Sequence, residues 1–147
     1  MSYTQQVSIL SDSEKIFNAI TQHIPKWWGN TDSPVSKVGD EFITSFDKTY
    51  WKFRIAELIP GKKIIWECIE AKHIHNGYDN IEKEWLGTFV NWTIDHVSEK
   101  ESKLLFSHDG LTSDLNCYEI CTPAWDRFVT QSLKSFVETG KGMPHLS

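Results

Sequence analysis

Three small groups of side chains in this 147-residue chain carry donor or acid–base chemistry. His73 and His75 lie two apart with Asp79 close behind, and on a strand two such imidazoles face the same way. Zinc needs at least one more protein ligand than this pair supplies. The nearby Gly77, Asp79 and Asn80 read instead as a solvated loop. Cys117 and Cys121 are four apart, one helical turn, but have no histidine beside them in sequence. They read as small apolar fillers. Counting Cys68, the three cysteines are expected to be free thiols, and no metal ligand is assigned. His108 shares strand parity with Leu104 and Phe106 and therefore points inward. A neutral imidazole there either contacts a ligand or is paired within the core.

Acid–base and nucleophilic signals are weak. Glu67, Glu70, Asp95 and Asp109 fall on or near strands and have no spacing that marks a general base, so they read as surface charges. The chain has no glycine-rich phosphate loop, nucleophile elbow or Ser/His/Asp spacing. No catalytic residue and no cofactor follow from it.

Composition is more informative. Seven Trp, eight Phe and four Tyr make this an aromatic-rich small domain. Trp51, Phe53, Trp66, Trp92 and Phe106 lie on alternating strand positions, opposite Lys52, Arg54, Asn91 and Thr93. Trp125 and Val129 share one helical stripe, and Trp28 belongs to an earlier short segment. These side chains either pack solidly together or line a pocket. Each buried indole N–H among them needs an acceptor, from the protein, water or a ligand oxygen.

The elements that would position these groups follow from periodicity. Residues 3–9 read as a strand. A capping box, Ser11 with Glu14, starts a helix over residues 12–22 that Pro25 ends. From about residue 38 the period becomes two. Strands are expected over 40–46, 50–55, 64–69, 85–96 and 104–108, with turns at Pro60-Gly61-Lys62-Lys63 and Ser98-Glu99-Lys100-Glu101. A helix of roughly 16 residues then begins near Pro123 and is capped by Gly140, with an extension of it over residues 114–122 as a separate turn left open. A strand, helices, a run of antiparallel strands and a last long helix make one α+β domain over residues 1–147. A curved sheet gripping that helix leaves space between them. Ser132, being small, adds to it on the inner stripe.

Charge and hydropathy exclude other classes. Fifteen basic against 20 acidic residues give a net charge of −5, without the basic footprint of a nucleic-acid binder. No apolar run is long enough for membrane insertion, and Met1-Ser2-Tyr3-Thr4-Gln5-Gln6 lacks the pattern of an export signal. A cytoplasmic location is expected.

Several motifs resemble one family. They are Val7-Ser8-Ile9 through Ile20, Lys26-Trp27-Trp28, Pro60-Gly61-Lys62-Lys63-Ile64-Ile65-Trp66 and Gly87-Thr88-Phe89-Val90. The C-terminal series is Phe106-Ser107-His108-Asp109-Gly110-Leu111, Trp125, Ser132-Leu133-Lys134 and Glu138-Thr139-Gly140-Lys141-Gly142-Met143-Pro144. Together they resemble the START-like, SRPBCC helix-grip superfamily, and within it bacterial homologues of the heat-shock protein 90 ATPase activator. The resemblance covers nearly the whole chain. It implies a curved antiparallel sheet around a long C-terminal helix, with a cavity for a hydrophobic or aromatic small molecule. On that reading the ligand-binding residues are Trp28, Trp51, Phe53, Trp66, Trp92, Phe106, His108, Trp125 and Val129. An aromatase/cyclase-type enzyme and a chaperone-interacting domain, with a homodimer as a further partner state, are the alternatives it brings.

Overall fold

The computed structural model describes residues 2–145. Among them, seven strands form one curled antiparallel sheet: β1 Ser2–Ile9, β2 Asn30–Thr31, β3 Glu41–Phe46, β4 Thr49–Ile59, β5 Lys63–Lys72, β6 Phe89–Ser98 and β7 Glu101–Asp109. The spatial order is β1-β7-β6-β5-β4-β3-β2. Strands β2 to β7 therefore meander, and β1 closes on β7 with Tyr3 opposite His108 and Ile9 opposite Ser102. The alternation is clean where it matters. Trp51, Phe53 and Ile55 on β4 are buried, while Lys52 and Arg54 face out to Glu41 and Glu67. Register shifts at Lys52/Phe53, Ile55/Glu57 and His96/Ser98 bend the strands and help curl the sheet.

Helix α1, Ser13–Thr21, is amphipathic and buries Ile16, Ala19 and Ile20. Its cap differs from the expected Ser11–Glu14 box. Asp12 caps it, accepting the Lys15 N–H at 2.8 Å, while the Ser11 carbonyl is taken by Ser102 Oγ at 2.9 Å. A 3-10 turn, Ile24–Lys26, leads into Trp27 and Trp28.

The C-terminal helix is longer than its expected start at Pro123. It comprises α2, Tyr118–Arg127, a π-helical stretch, Phe128–Leu133, and α3, Lys134–Thr139. Pro123 sits inside α2 because the helix is nucleated earlier, at Cys117, whose N–H is held by the Glu84 carboxylate at 2.9 Å. Gly140, at φ 86°, ends the rod as expected. This architecture is the α+β helix-grip arrangement.

Two corrections bear on the site. The strand expected over 85–96 begins only at Phe89, because Gly87 turns the chain at φ 83°. Trp85 thereby leaves the sheet and enters the core. Nor does Ser132 leave a gap. Its Oγ donates to the Trp27 carbonyl at 2.6 Å and accepts the Met143 N–H at 2.7 Å, so the C-terminal tail and the Trp27 segment occupy that side. Gly142 fits there because a Cβ would strike the Lys26 carbonyl oxygen.

Candidate functional site

The sheet and the C-terminal helix do not close at one end. There, the Phe46–Thr49 turn, β4, the segment after β5 and the helix surround a cleft of about 580 Å³. That is within the range of small-molecule sites. Its inner wall is Trp28, Trp51, Trp85 and Trp125. Phe46, Ile74, Ile120, Ala124 and Phe128 form the sides, and Asp47, Glu119, Arg127, His75 and His145 add polar groups.

Four nearly parallel indoles build that wall. Trp85 lies on Trp51 with centroids 4.0 Å apart and planes 16° from parallel. Trp125 continues the set at 5.7 Å from Trp85 and 9°, and Trp28 stacks on Trp125 at 5.1 Å and 21°. Each ring comes from a different element, so the wall exists only in the folded chain. Trp51 and Trp85 bury their indole N–H groups with no hydrogen-bond partner among the described residues. Such donors are normally satisfied.

A saturated relay stands behind the wall. Trp125 Nε1 donates to His108 Nδ1 at 3.1 Å. His108 must then carry its proton on Nε2, which meets Thr88 Oγ1 at 2.8 Å. The Thr88 hydroxyl donates to the Trp85 carbonyl at 2.6 Å. Burial pushes the His108 imidazole down to about 3, against a small opposing pull from Asp109. His108 is therefore a neutral, two-sided strut that holds two cleft tryptophans.

The expected ligand set separates into two layers. Trp28, Trp51 and Trp125 reach the cleft. Phe53, Trp66, Trp92, Phe106 and Val129 are fully buried in the aromatic core behind it, with Trp66 and Trp92 centroids 5.1 Å apart and Phe106 4.6 Å from Trp125. His108 lies in that second layer, with both nitrogens engaged. Sequence reasoning missed Trp85, because the turn at Gly87 was read as strand. It also missed Phe46, Ile120 and Ala124, which carry no chemical signal of their own.

All three cysteines are free and buried. Burial pushes Cys68 up to about 12. Folding brings His73 to Cys117 and Cys121. Donor atoms of all three side chains lie within 4.8 Å of one another. His75 turns away, its ring nitrogen facing the Asn76 carbonyl at 3.1 Å, and among the described residues His73, His75 and Asp79 do not form a donor cluster. Within the pair, the Cys121 thiol donates to Cys117, which lowers Cys117 to about 6 and raises Cys121. The two opposite shifts describe one shared proton.

Solved structures share this architecture. The chain matches the Aha1 dimer from Colwellia psychrerythraea at TM-score 0.77 and 26% identity, over 97% of this chain and 99% of that one. It matches DynU16, a protein of the dynemicin biosynthetic locus, at TM-score 0.72 and 17% identity, over 96% of this chain and 48% of that one. An Hsp90 activator from Plasmodium falciparum matches at TM-score 0.61 and 18% identity, over 87% and 89%. No protein-family model and no curated protein matches the sequence. Among the described residues, no helix is long and apolar enough to cross a membrane.

Proposed function

We propose, from its SRPBCC, Aha1-like fold, that the protein binds a hydrophobic or aromatic small molecule in the cleft beside the C-terminal helix. One observation carries this reading: a cleft of about 580 Å³ whose inner wall is four stacked tryptophans. Flat apolar ligands gain from offset stacking on such a wall as well as from burial. The deeper residues, Phe53, Trp66, Trp92, Phe106 and Val129, then keep the wall rigid instead of touching the ligand. His108 orients Trp125 and the Trp85 backbone. The ligand itself carries a flat or branched apolar body and a polar end directed at Arg127, His75 or His145. Native mass spectrometry of the purified protein, with tryptophan emission and melting curves against a panel of aromatic and acyl compounds, tests this. Binding that shifts the emission and raises the melting temperature supports it. A bare protein that no compound stabilises overturns it.

The likeness to the Colwellia Aha1 dimer and the Plasmodium Hsp90 activator supports a second reading, action on a chaperone. Stimulation of an Hsp90 ATPase by the purified chain tests it. Sedimentation at several concentrations shows whether the chain self-associates.

A further inference from the structure

We propose that His73, Cys117 and Cys121 form a zinc site in the wall of the cleft. The three residues are buried and come from two places far apart in sequence: His73 from just after β5, the cysteines from the N-cap and first turn of α2. Their donor atoms lie within 4.8 Å of one another. In a tetrahedral Zn²⁺ site, Zn–S near 2.3 Å and Zn–N near 2.0–2.1 Å put ligand atoms about 3.5–3.8 Å apart. Rotamer adjustments of about an ångström suffice to close the set.

A second observation points to a ligand. His73 Nδ1 is buried and has no hydrogen-bond partner among the described residues, although the residue is only 8% exposed. A buried imidazole nitrogen without a partner is uncommon. The surroundings also favour a cation held by thiolates. Cys117 is the N-cap of α2, where the helix N-terminus stabilises a thiolate. Glu84 accepts the Cys117 and Asn116 N–H groups, each at 2.9 Å, and fixes the backbone that carries the first sulfur. The Trp85 indole N–H lies near Cys121 without forming a hydrogen bond to it.

Two thiolates and one neutral imidazole suit Zn²⁺ and leave one position open. Binding leaves both sulfurs as thiolates and releases the proton they share, so Zn²⁺ and its two sulfur ligands are neutral together. His73 and Cys121 both line the cleft, so the open position faces it and takes water or a donor atom of a cleft ligand. The inference concerns the metal alone and does not depend on the small-molecule reading.

The test uses the full chain, reduced and stripped of metal. Adding Co²⁺ should give thiolate-to-cobalt charge-transfer bands and intense tetrahedral visible bands, saturating at one ion per chain. Zn²⁺ should displace it. Competition against a chromophoric chelator should show Zn²⁺ binding weakened ~100-fold or more in His73→Gln, Cys117→Ser and Cys121→Ser. Loss of an outer partner, Glu84→Gln, should weaken it ~10-fold. Cys68→Ser should leave it unchanged. A readout on the wild-type chain guards against misfolded variants: Zn²⁺ should shield Cys117 and Cys121 from alkylation and leave the Cys68 rate unaltered. Absence of charge-transfer bands, or Zn²⁺ affinity that survives all three ligand substitutions, or equal alkylation with and without Zn²⁺, would overturn the proposal.

Discussion

Trp125 donates its indole N–H to His108, Nε1 to Nδ1 at 3.1 Å, and thereby ties the cleft wall to the last strand of the sheet. Protonating Nδ1 breaks that bond. Folded His108 takes a proton only near pH 3, whereas the unfolded chain takes one near pH 6.5. Between those values the unfolded state binds more protons, so stability falls as pH drops through that window, by at most ~1.4 kcal/mol per pH unit. Above pH 6.5 the contribution is fully present. Urea unfolding at pH 7 and pH 5 should show the wild type losing about 2 kcal/mol more than His108→Gln. Equal losses in the two proteins would contradict the buried neutral imidazole.

The C-terminal tail should set the position of Trp28. His145 N–H donates to the Trp28 carbonyl at 2.7 Å, and Gly142 lies against the Lys26 backbone. Gly142→Ala forces a methyl group onto the Lys26 carbonyl. Overpacking of this kind destabilises by ~1–3 kcal/mol. A lower urea midpoint with altered tryptophan emission is expected. An unchanged midpoint would mean that the tail is not packed there.

Filling the cleft should separate binding from folding. Ala124 lines the cleft from the helix and is half-buried. Ala124→Phe places a ring where a ligand would sit and lowers helix propensity by less than ~0.7 kcal/mol. Ligand-induced changes in emission should vanish while the melting temperature of the free protein stays close to wild type. Ligand binding of undiminished affinity in this variant would move the site elsewhere.

Pro123 is an exposed proline inside α2 that cannot donate to the carbonyl one turn back. Pro123→Ala should therefore stabilise the helix, by up to ~3 kcal/mol. Thermal melts check the sign, and a lower melting temperature would show that Pro123 has a local packing role larger than its helix penalty.

Much of the frame was legible in the residues. Alternation placed Trp51, Phe53 and Ile55 inside and Lys52 and Arg54 outside, because a strand's period of two survives any global arrangement. The stripe of Trp125 and Val129 likewise predicted one buried helix face, and Gly140 its end. Gly110 and Gly142, from the motifs that carry the resemblance, owe their place to tertiary contacts instead: a Cβ on Gly110 would lie 2.6 Å from Thr88 Cγ2, and one on Gly142 would strike the Lys26 carbonyl. Boundaries were harder. Helix α2 starts before Pro123 because Glu84, 33 residues before Cys117, supplies acceptors for its first N–H groups.

Local pattern by itself determined which faces of the strands and helix are apolar, and hence the α+β layers. Tertiary structure alone decided which of those buried aromatics bound the cleft. Trp51 and Phe53 have the same parity and the same chemistry, yet only Trp51 lies at the unclosed end of the sheet, a matter of curl and strand length. The same holds for the donors. His73 and Cys117 are separated by 44 residues in sequence. No spacing rule spans such a distance, since their meeting depends on how β5 ends, how the chain turns at Gly87 and where the last helix begins.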